Sequence, residues 1–194
     1  MNALMLFIAA FASAFALSCK GAEKVEMLAM AKAPETEIAR GLEALSIQRV
    51  FFGHQSVGRN LVEGLGELAS EAGQGGPRIA EIRSAWDISG PGLYHSEIGR
   101  NLEPMSKLHD FESLLRGGIG RTIDVAFLKF CYVDIDGGTD VAALFSAYRS
   151  TMAGLSADFP SVVFMHCTVP LVVDDGAAKA AIKRLLGRKV NGHE

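Results

Sequence analysis

The chain has little that would tie it to nucleic acid, a metal ion or a disulfide scaffold. Its three cysteines, Cys19, Cys131 and Cys167, are too few and too scattered for a disulfide framework. No short paired spacing of Cys or His marks a metal site, and nothing in the pattern calls for a cofactor. Lys and Arg form no block and the formal net charge is -3, so the electrostatic footprint of a nucleic-acid binder is missing. The apolar run at the N-terminus, Leu4 to Leu17, is too short to span a bilayer comfortably. No internal repeat appears. What remains is an ordinary globular composition, 49% hydrophobic and 21% charged over 194 residues, which suffices for one well-buried domain.

The run from Leu4 to Leu17 has the length of a signal-peptide core, and residues 1–19 are read as that signal. It ends in Ala16-Leu17-Ser18-Cys19, which resembles a bacterial lipoprotein signal with Cys19 as the lipidated residue. No positive charge precedes the core, and Ala16 stands where such signals usually carry Leu. Cleavage within the Ala- and Ser-rich segment by the ordinary secretory peptidase is the alternative. Either way the expectation is an exported bacterial protein, periplasmic or anchored to a membrane through Cys19. Residues 20–34 read as a linker and 35–194 as the folded domain.

Within that domain the stretch from Val50 to Leu65 organises the rest. Val50, Phe51 and Phe52 predict a buried strand, Gly53-His54-Gln55-Ser56 a polar turn, and Asn60, Leu61, Val62 and Leu65 the stripe of a helix. A strand turning straight into a helix places its turn at the carboxyl edge of a sheet, where open α/β folds bind ligands. The free amides of the new helix favour anions there. Around this centre the periodicity predicts helices over 35–45, 56–72, 104–115, 141–155 and 177–186. Strands are predicted at 78–83, 123–133 and 162–169, the last two apolar enough to be covered on both faces. Residues 84–101, with the only Trp, read as one long irregular loop of the length usually kept for function. Alternating strands and helices argue for a parallel sheet with right-handed crossovers.

Three segments, FFGHQSVGRN from Phe51, FLKFCYVDI from Phe127 and VVFMHCTVPL from Val162, together resemble the SGNH/GDSL hydrolase superfamily. The likeness runs from about Val50 to the C-terminus. It implies a flavodoxin-like three-layer α/β/α sandwich and ester hydrolysis by a serine nucleophile, with an acetylated glycan as one substrate. Ser56 would be that nucleophile, its amide contributing to the oxyanion hole with Gly53 and Gln55 beside it. The family's Gly-Asp-Ser is Gly53-His54-Gln55-Ser56 here, one residue longer. Its Gly-x-Asn-Asp corresponds to Cys131-Tyr132-Val133-Asp134, which lacks the oxyanion-hole asparagine. Asn101, or a glycine among Gly90, Gly92 and Gly99, would then replace it. The family's C-terminal Asp-x-x-His has no counterpart before Glu194, so the expectation is a chain cut short of its last strand, helix and general base.

Each residue also has a plainer explanation. Ser56 at a helix start serves as an N-cap. His54 either lines the pocket or merely sits on the turn, and His95 in the long loop is a further candidate base. His166, late in a strand, is either a base near Ser56 or a core histidine satisfied by a neighbour. Asp134 either orients the long loop or, with Asp136, is a solvated turn residue. Cys131 and Cys167, at the ends of neighbouring strands, read as two buried thiols. Two other function classes stay open: an exported ligand- or carbohydrate-binding protein without catalysis, and a nucleotide binder using Gly53-x4-Gly58. That second pattern has Arg59 and Asn60 where a phosphate-binding loop has Lys and Ser/Thr.

Overall fold

The structure, a computed structural model, describes residues 35–71, 76–169, 181, 183 and 185–187. The expected signal, Cys19 and the linker lie outside the described residues, as does most of the expected helix over 177–186. No helix among the described residues is long and apolar enough to cross a membrane.

In chain order the elements are α1 (Glu35–Ile47), β1 (Arg49–His54), α2 (Val57–Glu71), β2 (Ile79–Glu81), β3 (Gly92–Glu97), α3 (Pro104–Arg116), β4 (Val125–Leu128), α4 (Val141–Asp158) and β5 (Val163–Phe164). All strand pairings are parallel and the sheet order is β2-β3-β1-β4-β5. The period of two in a strand sends the adjacent phenylalanines of β1 to opposite faces. Phe52, with Val50, packs among Leu61, Leu65 and Leu68 of α2 and stacks on Phe127 at 4.6 Å. Phe51 joins Leu108 and Leu115 of α3 and stacks on Phe111 at 5.9 Å. Helices therefore cover both faces, giving the three-layer α/β fold, and β1 is buried on both sides.

The order of strands makes β1 the pivot. After β1 the chain builds outward on one side through α2 to β2 and β3. After β3 it crosses by α3 on the other face to β4. The direction of winding reverses at β1, so the crevice at its carboxyl end is a topological switch point. At the opposite edge, Asp124 fixes the register by accepting from the Arg49 amide at 2.8 Å and from its guanidinium at 2.6 and 3.0 Å.

Residues 84–101 are not one long loop. Gly92–Glu97 is β3, in register with all of β1 from Arg49↔Gly92 to His54↔Glu97. The segment hid from the hydrophobic pattern because His95 and Ser96 are polar yet buried. Their polar atoms are satisfied internally, by His54 and by the Ile82 carbonyl. The strand expected over 123–133 ends at Leu128, because β1 has by then turned towards α2. One further ladder bond follows, Lys129 N to Gly53 O at 3.0 Å. Tyr132–Asp134 then forms a 3₁₀ turn, closed by Cys131 N donating to the Asp134 carboxylate at 2.7 Å. The last expected strand shrinks to Val163–Phe164, at the edge of the described sheet.

Candidate active site

Ser56 is the second residue after β1 and immediately precedes α2, at the switch point, and it is exposed. The turn is closed by backbone alone: Gly58 N donates to Gln55 O at 2.6 Å and Arg59 N to Ser56 O at 2.9 Å. The Ser56 hydroxyl caps nothing. Among the described residues its one polar neighbour is the thiol of Cys131, with Oγ and Sγ 3.9 Å apart. The N-cap explanation of this serine is therefore not what the structure shows. The amides of Ser56 and Val57 have no backbone acceptor among the described residues, so two donors point out of the helix start beside the hydroxyl.

The neighbouring residues of the turn hold the scaffold. Gly53 lies inside β1, and a Cβ there would come within 2.8 Å of Ile98 Cδ1 and 2.9 Å of Phe111 Cδ2. Its lack of a side chain serves that packing. Gln55 donates through Nε2 to the carbonyls of Ile98 at 3.2 Å and Gly99 at 2.9 Å, tying the turn to the segment after β3. Gly90 and Gly92 belong to the other end of the molecule. Gly92 pairs with Arg49, the first residue of β1, so both lie at the amino edge, about 15 Å or more from Ser56 at the strand rise of ~3.3 Å per residue. That corrects their expected place in the oxyanion hole. Asn101 does lie at the carboxyl edge, exposed, with Oδ1 accepting from Lys107 Nζ at 2.9 Å and its amide hydrogens uncommitted among the described residues.

Asp134 is no solvated turn residue. It is 2% exposed, and its Oδ2 accepts from Lys107 Nζ at 2.5 Å and from Cys131 N, while Oδ1 accepts from Leu102 N at 3.0 Å. One buried carboxylate thus fixes both the segment carrying Asn101 and the turn carrying Cys131. Asp136 makes a local turn with Gly138 N and Thr139.

The histidines separate. His54 is wholly buried, so it cannot line a pocket; its Nε2 lies 3.0 Å from Nδ1 of buried His95, and its Nδ1 has no partner among the described residues. Burial pushes the pKa of His54 down to about 4, the charge of His95 adding to the effect, and burial lowers His95 as well. Both are neutral at pH 7. The unfolded chain, with histidine near 6.5, binds more protons than the folded one between about pH 4 and 6.5, so stability falls as pH drops through that window. His54 alone accounts for roughly 3 kcal/mol of that loss. Urea unfolding at about pH 7.5 and about pH 4.5 reads it directly, and equal stabilities at the two would refute it.

His166 is exposed rather than in the core, with Nδ1 2.7 Å from the hydroxyl of Tyr148. Burial raises Tyr148 to about 12, so the phenol stays protonated at neutral pH. Beside them a cavity of about 530 Å³, lined by Phe130, Ile135, Leu144, Phe145 and Tyr148, opens on the α4 side of the same edge. Cys131 and Cys167 are free thiols, Cys131 buried and Cys167 partly so, and burial pushes Cys167 up to about 11. Among the described residues no group of three or more His, Cys, Asp or Glu is placed to hold a metal ion.

Neither the family models, nor the curated proteins, nor the solved structures include a match to this chain. Any functional conclusion rests on the site itself.

Two lysines of the site escaped the sequence reading. Lys107 falls on the apolar stripe of α3, at i-4 from Phe111, and Lys129 interrupts the run Phe127-Leu128-Lys129-Phe130. A cation in a position the pattern reserves for the core is the signal that would have found both.

Proposed function

We propose that the chain is an exported serine acyl hydrolase of SGNH/GDSL type that cleaves an ester, with acetylated carbohydrate as its substrate class. The observation that carries this is the uncapped, exposed hydroxyl of Ser56 at the switch point, beside unpaired amides at the start of α2. Ser56 Oγ attacks the acyl carbon. The amides of Ser56 and Val57 receive the oxyanion, with the Asn101 side chain on the adjacent segment as a third donor. Asp134 keeps these segments in place. Export and anchoring through Cys19 belong to the same reading.

A phosphate-binding loop fits less well. Gly53 is inside a strand, Gly58 is inside α2, and only Gln55 and Ser56 lie between the elements, leaving no loop to wrap a phosphate. Arg59 is paired with Glu97 at 2.7 Å. The cavity on the α4 side favours a second reading, a non-catalytic ligand-binding protein.

A fluorophosphonate probe on the full-length protein separates the two. Covalent labelling of the peptide containing Ser56, lost in Ser56→Ala with an unchanged circular dichroism spectrum, is the expected result. No labelling of the wild type, or equal labelling of the variant, would remove the hydrolase and leave the binding protein.

A further inference from the structure

A serine nucleophile needs a proton acceptor, and the described histidines supply none that is seen against Ser56. His54 is buried against His95, and His166 is engaged by Tyr148. Lys129 stands at the same edge of the sheet. Its amide donates to Gly53 O, which sets it beside the end of β1, and Cys131, whose thiol touches Ser56, follows two residues later.

The side chain of Lys129 has no ordinary structural purpose. The residue is only 8% exposed, and among the described residues its ammonium has no carboxylate within ion-pair distance, only the Phe130 carbonyl at 3.2 Å. Lys107, also buried, shows what a structural lysine looks like here: it has Asp134 at 2.5 Å and Asn101 at 2.9 Å. A buried cation without a partner is costly, and the usual resolution is loss of the proton.

Resting on the hydrolase reading above, we propose that Lys129 is the general base of the site, its neutral amine taking the hydroxyl proton of Ser56 in a serine–lysine arrangement. The groups around it are Cys131, Cys167, Lys107 and Asp134. Burial is the main influence and lowers its pKa from the ordinary lysine range. The charge of Lys107 works in the same direction, and Cys131, Cys167 and Asp134 oppose it. The four-carbon stem lets Nζ leave the Phe130 carbonyl and turn to Oγ when substrate arrives, as catalytic hydrogen bonds commonly tighten only in the complex.

The step balances. The Oγ–H bond breaks and its proton goes to Nζ, the Oγ–C bond forms, and the carbonyl π pair moves onto oxygen. Collapse breaks the bond to the leaving alkoxide, which takes the proton back from Nζ. Water then repeats the sequence on the acyl-enzyme, releasing the acid and restoring Ser56.

The test measures fluorophosphonate labelling of Ser56 against pH in wild type, Lys129→Met and Lys129→Arg, with a ¹³C NMR titration of the lysine ε carbons in the wild type. Both variants are expected to label at least about 100-fold more slowly, since neither Met nor an always-charged Arg accepts a proton. The ε carbon of Lys129, identified by its absence in whichever of the two variants folds, is expected to titrate below the ordinary lysine value of about 10.4. A wild type that labels at Ser56 alongside a Lys129→Met variant within about threefold of it would overturn the base and leave the hydrolase standing. A wild type that does not label would overturn both. If either variant fails to fold, the titration decides: an ordinary lysine midpoint overturns the proposal.

Discussion

Asp134→Ala is expected to lower the unfolding free energy by about 3–5 kcal/mol, because it leaves the ammonium of Lys107 buried without its counter-ion. Lys107 and Asp134 are both fully or almost fully buried, so solvent cannot replace the lost partner. Two backbone donors, Leu102 N and Cys131 N, lose their acceptor in the same substitution. The loss extends to function, since those two amides set the positions of Asn101 and of the thiol that faces Ser56. Removing both charges together, in Lys107→Met with Asp134→Leu, is expected to cost distinctly less than Asp134→Ala alone, because no unpaired charge is then left inside. Denaturant unfolding of the three variants measures this. Equal stability of Asp134→Ala and wild type would mean that the pair is not buried in solution.

Gly58→Ala should cost about 1–3 kcal/mol and displace the start of α2. A Cβ on Gly58 would lie 2.2 Å from Cβ and 2.6 Å from Cγ of His54. These atoms cannot yield, because Cβ is fixed to the β1 backbone and the ring is held between Phe52 and His95. The helix must move instead, and Ser56 moves with it. Gly66, also in α2, is the control: nothing lies within 4 Å of its would-be Cβ. Gly66→Ala is expected to stabilise by about 0.5–1 kcal/mol through helix propensity alone. Opposite signs for the two substitutions in one helix test the packing directly. A neutral Gly58→Ala would show that α2 does not approach His54 as described.

How much of this was legible beforehand varied with the kind of information each residue carries. Phe51 and Phe52 announced a buried strand because a run of apolar residues at strand length has to leave water. Asn60, Leu61, Val62 and Leu65 announced α2 because helical spacing is a local property. Gly92–Glu97 did not announce itself. A strand with His95 and Ser96 inside is stable only because His54 and the Ile82 carbonyl, distant in sequence, satisfy them. Gly90 and Gly92 were placed in the site because they shared a segment with Asn101, and the strand between them sends its two ends to opposite edges of the sheet.

The site followed the same division. That Ser56 stands between a buried strand and a helix was determined by the sequence, since the change of period from two to 3.6 occurs there. Whether its hydroxyl was spent on the helix or left free was decided only by the tertiary structure, through the backbone closure of the turn and the thiol of Cys131. Buried charge was likewise a tertiary matter. Lys107 and Lys129 stand out in one dimension only as cations on apolar positions, and that Asp134 pairs with the first while the second has only a backbone carbonyl is decided in the fold. Pattern and propensity act over neighbouring residues and are written in the chain. Pairing and desolvation depend on groups brought together from far apart, and exist only in the fold.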